Sequence, residues 1–183
     1  MVATEALKKD HRVIEKMLHI LDIVSNKIEK GEDIPAEVMK KASDFIRTFA
    51  DNYHHGKEED ILFKTMEERG FPREGGPIAV MLVEHDEGRG YARALAEGVE
   101  KYATGDRDAK KTIAENARNY ARLLSQHIQK EDNILYMMAD NILPETLQRE
   151  LLSKFDLVEK EKFGERGRQY YVDMVDEIEK AII

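Results

Sequence analysis

The sequence predicts an all-α fold: an up-down-up-down antiparallel four-helix bundle with a C-terminal helical extension. Three observations predict it. Pro and Gly are scarce (4 and 11 of 183) and gather at 31–35, 70–77, 105–106, 141–144 and 164–167, where Asp, Gly and Pro mark loops. Between those points apolar residues recur at steps of three and four rather than alternating. Charged residues reach 36%, against about 25% in an average domain, as expected of long solvated helices around a narrow core.

The elements follow in order. A first helix over 3–30 buries Leu7, His11, Ile14, Leu18, Leu21 and Ile28, with Ser25 as the polar member of the stripe. A second over 35–69 carries two stripes, Val38, Ala42, Phe45, Phe49 and then His54, Glu58, Ile61. The step from 49 to 54 is five, which predicts a π-bulge there, because one inserted residue lets a helix change face. A third helix over 77–104 buries Ile78, Leu82, His85, Gly88, Ala92, Leu95, Val99 and Tyr102. The fourth, over 106–141, does so with Ile113, Ala117, Tyr120, Leu124, His127, Glu131, Ile134 and Met138. Short connections make neighbours antiparallel. Residues 1–143 form the bundle and 144–183 the extension, with helices at 144–162 and 166–182. Tyr170, Tyr171, Val172, Met174, Val175 and Ile178 give that extension an apolar side, which covers the bundle or makes a homodimer surface.

Composition excludes several functions. Lys plus Arg total 29 against 37 for Asp plus Glu, a formal charge of −8, opposite to what phosphate contacts or an anionic membrane need. Without Cys there is no disulfide, thiolate zinc site, iron–sulfur cluster or thiol nucleophile. No apolar run approaches the ~20 residues of a membrane span, and the first residues lack a secretory signal. The expected location is the cytoplasm.

The chain repeats itself. The stretch from His54 to Phe63 aligns without gaps with that from His127 to Tyr136, an offset of 73, and Asp10-His11 aligns with Glu84-His85 at 74. Two similar hairpins packed about a pseudo-twofold axis would bring His11, His54, His85 and His127 together with Glu58 and Glu131. In each His-x-x-x-Glu the two side chains are neighbours on one helix face, poised to chelate. Imidazole with carboxylate and no thiolate favours iron, manganese or zinc. Two carboxylates facing each other across a bundle are natural bridges between two metals. Each ion then has two nitrogens and two oxygens; a bridging solvent makes five donors and leaves one open place. Left unpaired, so many buried polar groups would each cost on the order of 1–3 kcal/mol.

Carried by FADNYHHGKEEDILF, LVEHDEGRGYARAL and LLSQHIQKEDNILY, the pattern resembles the hemerythrin-like (HHE cation-binding) proteins over nearly the whole chain. The segment KFDLVEKEKFGERGRQYY looks like a C-terminal extension found in part of that family. The resemblance implies two non-haem iron ions, joined by an oxo or hydroxo bridge, that bind O₂, NO or related species. Zinc or manganese are the lesser alternatives. It assigns the ligands to His11, His54, Glu58, His85, His127 and Glu131. In oxygen-carrying hemerythrins a second His follows the first by one turn on the third helix; here that place is Arg89. They also use an Asp five residues after the fourth-helix His, a spacing that Asp132 matches; the internal repeat favours Glu131. A centre lacking that fifth His is more symmetric and more open, and fits sensing, NO or peroxide chemistry or iron handling better than O₂ carriage.

Other residues lie near by. His55, whose repeat counterpart is Ile128, is expected as an outer partner or a surface residue, although Glu59 stands four residues on. Glu15 could ligate, orient His11 or sit on a solvated face; His19 is expected at the surface or rim. Gly88, one turn past His85, would leave room for an exogenous ligand or let helices pack closely. Tyr120 and Tyr102 could reach a bridging oxygen or a backbone carbonyl. The leading function is binding or sensing of O₂ or NO. A catalyst that reduces NO or peroxide is the alternative, and a structural metal bundle the third reading.

Overall fold

A computed structural model of the chain describes residues 2–183, all of its regular structure helical. Four long helical segments form the body. The first is α1 (Ala3–Glu29). The second runs unbroken over 36–68: α2 (Ala36–Phe45), π-helix at Ile46–His55 and again at Glu58–Leu62, then α3 (Phe63–Glu68). The third is α4 (Pro77–Ala103). The fourth covers 109–142 as α5 (Ala109–Lys130), a π-helical turn at Glu131–Leu135 and α6 (Tyr136–Ile142). Gly31 (φ +83°) and Gly105 (φ +104°) close α1 and α4 in the left-handed region that favours glycine, and they too are 74 residues apart.

The π-helix at Ile46–His55 contains the anomalous step from 49 to 54. The other two π turns were not foreseen, and they correct the buried stripes. Sequence periodicity placed Ile61 and Ile134 inward. Instead Leu62 and Leu135 are buried, Ile61 is half-buried and Ile134 is 49% exposed. An i→i+5 turn admits one extra residue, so the phase after Glu58 and after Glu131 slips by one. Both slips obey the 73-residue repeat.

α5 packs on both α1 and α4, and α2 packs on α4. The space between α1 and α2 is taken by the C-terminal hairpin of α7 (Glu145–Phe163) and α8 (Gly167–Ile182). Tyr171, Met174, Val175, Ile178 and Ile182 of α8 join one buried core with Phe45 and Phe49 of the second segment. Each fully buried aliphatic side chain of this kind contributes about 1.5–3 kcal/mol. Tyr170 stays 40% exposed and Val172 half-buried, so the apolar side is narrower than the sequence indicated. On the opposite flank, between the second segment and α4, no helix among the described residues closes the seam, and a cleft remains. No helix among the described residues is long and apolar enough to cross a membrane.

Candidate metal centre

The two π turns begin at the two carboxylates of interest. Glu58 and Glu131 each open one, and both side chains are fully buried. His11 from α1, His85 from α4, His54 from the second segment and His127 from α5 are no more than 1% exposed and turn toward them. His11 Nε2 lies 3.2 Å from Glu131 and His127 Nε2 3.2 Å from its other oxygen. His54 Nε2 and His85 Nε2 lie 3.6 and 3.4 Å from Glu58 Oε2. The six residues singled out by the repeat therefore converge.

A seventh joins them, and it corrects the sequence reading. His55 is 3% exposed, its ring stacked on His85 at 3.8 Å between centroids. Its donor atom falls within 4.8 Å of those of Glu58, His85 and His127, one of two clusters able to hold a metal ion; the other is His11, His54, Glu58 and Glu131. Successive residues of an α-helix are about 100° apart. The wider turn of the π-helix that ends at His55 brings His54 and His55 closer in angle, so adjacent residues can both face inward. A fifth imidazole is thus present, supplied by the second segment rather than by α4. The more symmetric centre expected without one is not what the structure shows.

Every one of the five imidazoles has an outer carboxylate on Nδ1. His11 meets Asp132 at 2.7 Å, His54 meets Asp10 at 3.4 Å, His55 meets Asp51 at 3.4 Å, His85 meets Glu59 at 2.6 Å and His127 meets Glu84 at 2.8 Å. Such partners fix the tautomer and ring orientation of a ligating His. The carboxylates are held in turn by cations. Arg12 pairs with Asp132, Lys130 with Glu84, and Arg89 with both Asp51 and Glu59 at 2.8 Å. Asp10, 1% exposed, takes the buried Lys57 and, at 2.7 Å, Arg168 of α8, so the C-terminal hairpin braces a ligand-orienting acid. Asp132 therefore orients His11 and lies outside both clusters, and Glu59 serves His85, not His55.

These outer bonds decide the inner chemistry. With Nδ1–H donating outward, each Nε2 directs a lone pair at the centre. Glu58 Oε2 and both oxygens of Glu131 are buried with no hydrogen-bond partner among the described residues. His85 Nε2 and His127 Nε2 sit 3.1 Å apart. Acceptors converging with nothing to donate between them call for cations, and a donor set of imidazole and carboxylate fits iron, manganese or zinc. In the metal-free protein protons fill part of that role. Burial lowers His11 and His127, but the hydrogen bond from His11 to Asp132 and the charge of Glu131 beside His127 outweigh it, holding them up at about 9 and about 10. Burial, together with a cationic His85, drives His55 down to about 3, so its ring is neutral and ready to ligate.

Tyr136, the counterpart of Phe63 in the repeat, was also missed. Fully buried, it donates to Glu58 and lies 3.3 Å from His11 Nε2, while Phe63 stacks on His85 at 6.1 Å. A phenol aligned with a phenylalanine on a buried face was the available signal. Glu15 pairs with Arg12 on a solvated face and His19 is exposed. Tyr120 is buried but contacts no ligand; Tyr102 is half-buried beside Lys110. At Gly88 an added Cβ would come within 3.2 Å of Leu124, so its bare backbone allows close packing of α4 on α5; it also borders the cleft.

Substituting His55→Gln separates a ligand from a buried spacer. If both clusters load, the second should lose its ion on this change while the first keeps its own, so that bound metal falls from two ions toward one by elemental analysis. Full retention would show that His55 does not ligate.

Comparison with known proteins agrees with this geometry. The hemerythrin HHE cation-binding domain matches residues 2–139. Uncharacterized proteins of Mycobacterium tuberculosis and Mycobacterium bovis are 26% identical over 182 residues, a match that spans this whole chain and 71% of each relative. The chain belongs to the hemerythrin HHE cation-binding family.

Proposed function

We propose that this member of the hemerythrin HHE cation-binding family holds two non-haem iron ions and uses them to bind or sense a small diatomic ligand, O₂ or NO. The observation that carries the reading is the set of three unpartnered carboxylate oxygens on Glu58 and Glu131, enclosed by five oriented imidazoles. Its helix packing supports an up-down-up-down bundle over 1–143 with 144–183 as the extension. The charge of −8 supports a small-molecule partner over nucleic acid or an anionic membrane surface.

His11, His54, Glu58 and Glu131 would hold one ion; His55, His85, His127 and Glu58 would hold the other. When bound, the pair supplies open coordination and one-electron redox chemistry. The protein's part is to keep five rings fixed through their outer carboxylates and to exclude bulk water from Glu58 and Glu131, both fully buried. Metal content after anaerobic purification, followed by the ultraviolet–visible spectrum on exposure to air and to NO, tests the proposal. Two irons per chain and a new near-ultraviolet band are expected. Zinc without iron would overturn it.

Tyr136 favours a second reading. Its hydroxyl donates to Glu58, which places a proton donor inside the site, where a reduction of NO or peroxide needs one. Consumption of NO or peroxide with a chemical reductant, lost on Tyr136→Phe with metal content unchanged, would establish that reading. Stoichiometric binding without turnover would favour the first.

A further inference from the structure

The C-terminal hairpin is joined to the metal centre through Arg168. Gly164 (φ +57°) and Gly167 (φ +64°) bracket the tight turn between α7 and α8 at positive φ, which favours glycine. The Glu159 carboxylate of α7 accepts the backbone N–H of Arg168 at 3.1 Å. Aimed by that turn, the guanidinium donates from Nε to Asp10 Oδ1 at 2.7 Å and from its end to the Lys9 carbonyl at 3.0 Å. It lies 5.6 Å from the centre of the Phe49 ring. Asp10 gives its other oxygen to Lys57 and, at 3.4 Å, to His54 Nδ1. The Lys57 ammonium is 3.8 Å from the Tyr53 ring and 5.3 Å from that of Phe155 on α7.

The internal repeat supplies the comparison. Asp10, His54 and Lys57 correspond to Glu84, His127 and Lys130, which build the same triad: Glu84 meets His127 at 2.8 Å and pairs with Lys130. There the acid and the lysine are 14% and 39% exposed, so water can complete the carboxylate when a partner leaves. In the first copy they are 1% and 2% exposed beneath the hairpin, and Arg168 takes the place of that water. A buried carboxylate that loses a charged donor finds no solvent to replace it. Without Arg168, Asp10 would turn its freed oxygen toward Lys57 and release His54.

We propose that Arg168 is a positioning residue for the first metal cluster, acting through Asp10 on His54. The hold on an ion among His11, His54, Glu58 and Glu131 then depends on the docked C-terminal hairpin, whereas the second cluster is independent of it. This coupling rests on the two-cluster reading above and adds a regulation to it: whatever undocks the hairpin weakens one ion and spares the other.

The test strips the full chain of metal and titrates it with zinc in competition with a chromophoric chelator. Two backgrounds separate the ions. His55→Gln disables the second cluster, and His54→Gln takes from the first the ring through which Arg168 acts. Arg168→Met keeps an apolar stem and removes the donors. In His55→Gln it should weaken zinc about tenfold or more, the low end of what loss of an outer partner costs a metal site. In His54→Gln it should change zinc affinity less than about twofold. Ile182→Ala, buried at the far end of α8, controls for packing alone: Tm should fall and both affinities stay unchanged. If Arg168→Met is too unstable to assay, Arg168→Lys decides, since it keeps the charge but not the planar fork; its loss should be smaller and confined to the His55→Gln background. Equal weakening in both backgrounds, or none in His55→Gln, would overturn the proposal and leave two bound ions standing. A wild-type chain that binds no zinc would overturn the two-cluster reading and this coupling with it.

Discussion

Glu58→Gln should remove both metal ions, not one. Glu58 is the only side chain common to the two clusters, with Oε2 within 3.6 Å of His54 and 3.4 Å of His85. A glutamine of the same shape keeps one accepting oxygen, loses the charge and places an NH₂ where a second acceptor is needed. Loss of an outer partner alone typically costs 10–100-fold in metal affinity, so loss of a shared ligand should cost at least about a hundredfold at each cluster. The control is Glu59→Gln, which leaves the ligand set whole and loosens only the orientation of His85. Inductively coupled plasma analysis after dialysis would show metal near zero in the first variant and partial loss in the second. If Glu58→Gln retains both ions, the shared-ligand arrangement is wrong.

That ranking of Glu58 over its neighbours could be read only in part from sequence. The pairing of His54-x-x-x-Glu58 with His127-x-x-x-Glu131 was legible because helix periodicity and internal repetition are both one-dimensional signals. So were the helix limits, the Gly and Pro breaks between them and the π-bulge near Phe49, since a step of five cannot lie on one α-helical face. What stayed hidden depends on facing helices. The acid orienting His54 comes from α1, the acid orienting His85 from the second segment and the acid orienting His11 from the fourth. No spacing rule connects Asp132 to a histidine 121 residues away. His55 was hidden for another reason. The repeat gives it an isoleucine counterpart, and that argument holds only where both hairpins have the same turn geometry. The π-helix at Ile46–His55 has no equivalent in α5, so symmetry fails there, and the fifth imidazole enters through the failure. Arg89 shows the same departure. Where an oxygen-carrying relative has a ligand, this chain has the cation that fixes the outer acids of His55 and His85.

Because protons and cations compete for one set of lone pairs, pH should move metal affinity and metal-free stability in opposite directions. His11 and His127 are held at about 9 and about 10, above the ordinary 6.5. A raised folded pKa stabilises the metal-free protein fully below pH 6.5, and that contribution fades as pH climbs through 9 to 10. Glu131 and Glu58 are shifted down, since the neighbouring imidazoles outweigh their burial, so their contribution is present above about 4.5 and is lost on acidification. His54 and His55 are shifted down by burial, so they cost stability as pH falls below 6.5. Metal-free protein should therefore be most stable near pH 6.5 and weaken both toward about 4 and toward about 10. Metal loading must expel the protons on His11 and His127. His11 and His127 belong one to each cluster, so one proton released per ion corresponds to roughly a tenfold gain in apparent affinity per pH unit between 7 and 9. Zinc competition against a chelator at pH 6.5, 7.5 and 8.5 measures that slope, and a pH-stat counts the protons. At metal concentrations about a hundred times Kd, loading adds about 2.7 kcal/mol. For a chain of this length that raises Tm by about 5–10 °C, a gap that should widen as pH rises. A flat affinity over this range would mean that the two imidazoles are already neutral in the metal-free protein, and the opposed lone pairs would then have to be separated by some movement of the helices that carry them.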